Sequence, residues 1–185
     1  MRFTPTSLPG SYLVDLERAE DQRGFFARTW CEHEALQHGL QPHMVQTSVS
    51  FNHKQGTLRG MHYQLPPSKE AKLVRCTAGA IYDVILDLRP ASKTFLQYFG
   101  TTLSADNHQA LYIPSGFAHG FQTLVEATEV LYLMSDFYAP HLARGVRWND
   151  PALGINWPDG TRLVHERDAT YPDFGPQLIA ELSEL

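Results

Sequence analysis

Nine histidines stand out in this chain, and their spacing decides which chemistry they can support. Metal sites on β-barrels commonly use two histidines separated by one residue, then a carboxylate, then a distant histidine. In Gly60-Met61-His62-Tyr63-Gln64, Gln64 stands where the second close ligand would be, and His119 alone fits the distant position. Two imidazoles without a third protein ligand make a poor zinc or iron site, so no metal is expected. His33, His38, His53, His108, His141 and His165 read as surface residues. Gly56-Thr57-Leu58-Arg59-Gly60 has neither the dinucleotide nor the P-loop spacing. Ser115 in Pro114-Ser115-Gly116 is not a nucleophile elbow, and Cys76, inside an apolar run, reads as core. What remains is proton chemistry. Arg59, His62, Gln64, Lys72 and Arg75 crowd one stretch, and a barrel that turned His62, Lys72 and Tyr132 inward would hold a base, an electrostatic stabiliser and an acid in one pocket.

The elements that must position these groups are short strands. In Ala80-Ile81-Tyr82-Asp83-Val84-Ile85-Leu86-Asp87-Leu88, Ala80, Tyr82, Val84, Leu86 and Leu88 share one face, and Asp83 and Asp87 share the other with Ile81 and Ile85. That alternation reads as a half-buried strand. Phe95 to Leu103, Gln109 to Ile113, Gly120 to Leu124 and Glu129 to Met134 are further strands, with a turn at Pro114-Ser115-Gly116. Arg59 and His62 fall on opposite faces of a regular strand, so Gly60 is expected to mark a bulge that re-aims one of them. Tyr132 alternates with Leu131 and Leu133, which puts core on one face and pocket on the other. Thr29-Trp30-Cys31-Glu32 has capping-box spacing, and a helix carrying Ala35, Leu36 and Leu40 would close at Gly39. Pro176 opens a second short helix. Many short strands with few helices predict an all-β fold, a jelly-roll barrel or sandwich.

Composition sets the outer bounds. The 185 residues suit one domain spanning 1–185. With 43% hydrophobic and 19% charged residues the chain is neither disordered nor collagen-like. A formal charge of −5 argues against a broad nucleic-acid surface while leaving room for local phosphate contacts. Cys31 and Cys76 make no disulfide framework, no apolar run reaches membrane-spanning length, and Met1-Arg2-Phe3-Thr4-Pro5 lacks a signal-peptide core. The expectation is a soluble cytoplasmic protein.

Several motifs together resemble the dTDP-4-dehydrorhamnose 3,5-epimerase family. They are Asp21-Gln22-Arg23-Gly24-Phe25-Phe26, Gly56 to Gln64, Lys72-Leu73-Val74-Arg75-Cys76, Tyr112 to Phe121, and Trp148-Asn149-Asp150 through Trp157-Pro158. The resemblance runs in order along nearly the whole chain. It implies a cupin-like jelly-roll homodimer that epimerises a nucleotide-diphospho-4-keto-6-deoxy sugar without cofactor or metal. A C4 ketone acidifies the protons at C3 and C5. By resemblance His62 is the base, Asp168 its orienting carboxylate, Lys72 the stabiliser of the enolate oxygen, and Tyr132 the acid on the opposite face. Arg23, Arg59 and His119 match substrate-contacting positions, with the arginines suited to diphosphate. Tyr138 would stack on the base.

Departures from the family pattern fall on nucleotide recognition. Ala27-Arg28 follows Phe26 where an acidic residue is frequent, and Gln46-Thr47-Ser48 replaces a Gln-x-Asn, so Arg28, Gln46 and Ser48 are the substrate-binding candidates there. Leu133 follows the tyrosine in place of a lysine, and Ala143 replaces a glutamate contact. The departures leave base and sugar open; inversion at C3 alone is a separate alternative, decided by the timing of the acid and the ring flip of the sugar. A non-catalytic sugar-binding cupin is disfavoured by the retained acid–base set, and a metal-dependent oxygenase by Gln64.

Overall fold

The computed structural model describes residues 1–182. Its strands are β1 Arg2–Pro5, β2 Tyr12–Asp15, β3 Arg18–Asp21, β4 Gly24–Ala27, β5 Gln46–Asn52, β6 Thr57–Gln64 and β7 Lys72–Ala78. They continue with β8 Ala80–Asp87, β9 Tyr98–Ser104, β10 Ala110–Ile113, β11 Phe117–Thr123, β12 Thr128–Met134, β13 Ala143–Gly145 and β14 Leu163–Val164. The helices are α1 Glu32–Gln37, α2 Glu166–Ala169 and α3 Pro176–Leu182.

Two antiparallel sheets face one another as a cupin-like jelly roll. One has the order β1-β2-β10-β7-β12-β5; the other runs β13-β6-β11-β8-β9, with β14 added in parallel to β6. A separate hairpin pairs β3 with β4. Between the sheets, Val74, Cys76, Leu111, Ile113 and Val130 of the first meet Ile81, Ile85, Leu103, Phe117 and Phe121 of the second. This apolar half of the interior closes the sandwich and leaves the polar half as a pocket.

Both sheets are also covered on their outer faces, which corrects the reading of β8 as half-buried. Ile81, Val84, Ile85 and Leu86 are all fully buried. The partition into two faces holds: Val84, Leu86 and Leu88 pack outward against Val146, Leu153, Trp157 and the α3 residues Leu178 and Leu182. Ile81 and Ile85 point inward, and Asp83 goes with them into the interior. Alternation alone could not show that the C-terminal segment blankets the outer face.

The first sheet is covered by α1, whose Ala35 packs with Leu40, Val14, Leu73 and Tyr112. The expected capping box does not form. The N-cap is Cys31, with no side-chain bond, and Leu36 is exposed rather than on the packed face. The predicted close at Gly39 is present: φ there is 69°, and the Gly39 and Leu40 amides bond back to Leu36 and Ala35.

The crossing of β6 and β11 fixes the pocket. Their register shifts between the pairs His119/His62 and Phe121/Arg59, so Arg59 and His62 both reach the same cavity, as the expected irregularity at Gly60 requires. The strands touch there. A Cβ on Gly120 would lie 2.7 Å from Met61 Sδ and 2.8 Å from the Arg59 carbonyl oxygen.

Candidate active site

A cavity of ≈ 340 Å³ opens between the sheets, lined by His62, Arg59 and His119 from β6 and β11 and by Lys72, Tyr132 and Ser48 from β7, β12 and β5. His62 and His119 are Cα partners across β6 and β11 and therefore point the same way. Met134 pairs with Lys72 and Ser48 with Tyr132, which sets these groups on the opposing sheet. Histidine and tyrosine thus approach the cavity from opposite sides.

His62 Nε2 lies 2.8 Å from Asp168 Oδ1, at the start of α2. The second Asp168 oxygen accepts the Gly60 amide at 3.1 Å. Asp168 is 3% exposed. Its burial opposes ionisation, but the bonds from His62 and Gly60 and the nearby Arg167 charge win and hold the carboxyl below its ordinary range. A charged carboxylate at Nε2 takes the Nε2–H and leaves the lone pair on Nδ1, the form a base needs.

A second histidine–aspartate pair lies beside the first. His119 Nε2 is 2.7 Å from Asp83 Oδ1, and both side chains are buried. The other Asp83 oxygen has no hydrogen-bond partner. Burial pushes the Asp83 carboxyl upward, opposed by its contact with His119. The Tyr132 ring stands edge-on to His119 at 5.8 Å. Desolvation, then the Asp83 charge, pushes the Tyr132 hydroxyl well above the ordinary tyrosine range against a smaller pull from Arg59. Tyr132 therefore holds its proton at neutral pH.

The other candidates divide. Arg59 lines the cavity and donates to Asn52 Oδ1 at 2.8 Å. Tyr138 lines it and is 60% exposed, and Gln46 does not line it, its Oε1 accepting the Tyr138 amide at 2.6 Å. Arg23 and Arg28 are not brought to the cavity of their own chain. Arg23 turns back onto Asp21 in the β3–β4 turn, and Arg28 pairs with Glu34 of α1. Cys76 is fully buried with its thiol pushed up to about 11 by burial, which fits core and not nucleophile.

Sequence reading missed Arg167, Glu70, Tyr171 and Arg144 on the cavity wall. Arg167 Nη2 is 3.4 Å from His62 Nε2, and its place next to Asp168 was the available signal. Among the described residues no group of three or more His, Cys, Asp or Glu is arranged to hold a metal ion.

A jelly roll with a carboxylate-oriented histidine on one sheet and a neutral tyrosine and a lysine on the other defines an acid–base enzyme of the cupin-like class. Comparison with known proteins narrows this. The family model described as dTDP-4-dehydrorhamnose 3,5-epimerase matches residues 5–175. The enzyme of that name from Sinorhizobium fredii is 38% identical over 175 residues, covering 94% of this chain and 90% of its own. The crystal structure of the Bacillus anthracis enzyme with TDP and PPi bound superposes with a TM-score of 0.89 at 40% identity, covering 94% of this chain and 99% of that one. A 3′-monoepimerase from Streptomyces bikiniensis, in complex with dTDP-quinovose, gives 0.85 at 30% identity over 96% of this chain and 87% of its own. The chain belongs to the dTDP-4-dehydrorhamnose 3,5-epimerase family. It is an isomerase of deoxysugar biosynthesis.

Proposed function

We propose that this enzyme inverts C3 and C5 of a nucleoside-diphospho-4-keto-6-deoxy sugar by proton removal and return, with no cofactor. His62 Nδ1 takes the proton from the carbon beside the ketone, and the electron pair moves onto the C4 oxygen as an enolate. Lys72 carries a positive charge to that oxygen, the kind of fixed electrostatic contact that contributes most in such reactions. Tyr132 then gives its proton to the same carbon from the other side, so the centre is inverted. The tyrosinate and the imidazolium exchange protons with solvent to reset the site. The observation that carries this reading is the placement of His62 and Tyr132 on opposing sheets across one cavity.

The diphosphate would be met by Arg59 and Arg167, and the base by Tyr138. We further propose a homodimer. Phe26 is 81% exposed on the β3–β4 hairpin, and Val49 and Phe51 are exposed on the edge strand β5 beside the cavity. A second copy covering these faces would also give Arg23 and Arg28 a substrate to contact. The proposed setting is the cytoplasm: both cysteines are free, and no helix among the described residues is long and apolar enough to cross a membrane.

The test is turnover of a panel of 4-keto-6-deoxy sugar nucleotides in deuterated water, read by NMR. Deuterium at C3 and C5 with inversion at both is expected. Deuterium at C3 alone would make the enzyme a monoepimerase, and no exchange with any sugar would overturn the reading. For the dimer, mixing inactive Arg23→Ala and His62→Ala proteins should restore activity if each protomer completes the other's pocket.

A further inference from the structure

The cavity wall is strongly cationic, with Arg59, Lys72, Arg144 and Arg167. Against these, Glu70 is the one carboxylate that lines it among the described residues. Glu70 Oε2 lies 2.5 Å from Lys72 Nζ, and the two side chains are only 7% and 15% exposed. The backbone under Glu70 is held in place. Its amide donates to Ser68 Oγ at 3.3 Å, and Ser68 is tied to Asp136 at 2.8 Å. The next residue, Ala71, donates to Ser135 Oγ at 2.7 Å and accepts the Ser135 amide at 2.9 Å. This clamp ties the segment to the chain just beyond β12, the strand that carries Tyr132.

We infer that Glu70 is a positioning residue for Lys72, holding its ammonium where the enolate oxygen forms. The inference rests on the role of Lys72 in the proposed reaction. A lysine side chain has a flexible four-carbon stem and three N–H donors. One donor goes to Glu70, which fixes the stem and leaves two for the substrate. A donor already in place costs no reorganisation when charge develops, which is where electrostatic catalysis gains most. Glu70 itself touches no reacting atom.

The experiment is a double-mutant cycle on kcat with solvent deuterium exchange as the readout, using Glu70→Ala, Lys72→Ala and the double variant. A small displacement of a positioned group can cost about 10²-fold, so Glu70→Ala should lower kcat by roughly 10–100-fold. KM should move much less. On the Lys72→Ala background, the Glu70 change should cost nothing further, because its effect passes through Lys72. Glu70→Gln, which keeps an acceptor oxygen, should recover most of the lost kcat. Wild-type kcat in Glu70→Ala, or an equal loss on both backgrounds, would overturn the inference. If Glu70→Ala fails to fold, the same cycle with Glu70→Gln decides: a small loss present with Lys72 and absent without it is expected, and a loss of equal size on both backgrounds refutes the coupling. A fall in kcat on Lys72→Ala alone would leave the proposed reaction standing and remove only the role of Glu70. Unchanged kcat in Lys72→Ala would remove both roles assigned to that pair.

Discussion

His62 and His119 are partners across β6 and β11, yet each imidazole is held by a different aspartate: His62 by Asp168 from α2, His119 by Asp83 from β8. The two pairs differ in what surrounds them. The His62 side chain is 36% exposed to the cavity, whereas His119 and Asp83 are almost sealed. Only the first pair has room to take a proton from a substrate and pass it to solvent.

Asp168→Asn tests that division. The amide preserves shape but removes the charge that fixes the Nε2–H form and steadies the imidazolium. Turnover should fall by about 10²–10⁴-fold, comparable with losing a positioned proton-transfer group. Binding of a nucleoside diphosphate, measured by calorimetry, should change little. Near-normal turnover would show that His62 is oriented by something else.

The acid side of stability should depend on Asp87, which lies away from the cavity. Burial raises its pKa, but bonds from Arg89, Ser92 and Thr94 outweigh this and lower it below the unfolded value. The unfolded chain therefore binds the proton more readily. The contribution of Asp87 is fully present above the ordinary carboxyl range and is lost as pH falls below it through the folded-state pKa. Asp87→Asn should lower Tm at neutral pH and flatten the fall in Tm below about pH 4. An unchanged acid slope would assign the acid sensitivity to other carboxylates.

Gly120→Ala should damage both fold and activity. Its Cβ would press on Met61 Sδ, the Arg59 carbonyl and Gly60 Cα, where only the sulfur can yield. Overpacking of this kind typically costs 1–3 kcal/mol, roughly. Because Gly120 adjoins His119 and abuts the turn of chain that aims His62, kcat should drop further than the fall in Tm alone would explain. A variant with wild-type Tm and kcat would mean that β6 and β11 can separate without moving the site.

The legible part of this site is the part carried by contiguous motifs. His62, Lys72 and Tyr132 each stand in a short recognisable motif, and the irregularity near Gly60 follows from Arg59 and His62 falling on opposite faces of a regular strand; that all of them meet in one cavity is shown by the fold. Asp83 shares its face with Ile81 and Ile85, as the alternation implies, but the second sheet closes over that face and a segment beyond residue 146 covers the other, and both are long-range events with no local trace. Glu70 and Arg167 were passed over for a similar reason. A charged residue in a loop, like Glu70, or on a one-turn helix, like Arg167, is ordinarily solvated, and only the fold shows that these two are drawn to the cavity wall. The helix start moved because Thr29 offers the right spacing, while packing of Ala35 and Leu40 chose a later entry.

Tyr132→Phe separates the two faces of the mechanism. The hydroxyl is held protonated by desolvation and by the nearby Asp83 charge, so it can give a proton but is a poor base from the start. Abstraction is assigned to His62 on the other sheet and should survive loss of the hydroxyl. The ring remains, so its edge-on contact with His119 and its packing beside the inter-sheet core are retained. Without the acid, His62 should return a proton to the face it came from. In deuterated water the variant should therefore wash deuterium into the substrate while forming little inverted product, with Tm within a few degrees of wild type. Incorporation and stereochemistry are read from the same NMR sample. Normal yield of the epimer would remove Tyr132 from the acid role and point to water or another group as the donor. Loss of exchange together with inversion, with nucleotide binding intact, would mean that His62 cannot abstract unless the tyrosine hydroxyl is present, and the two residues would have to act as one unit and not as independent base and acid.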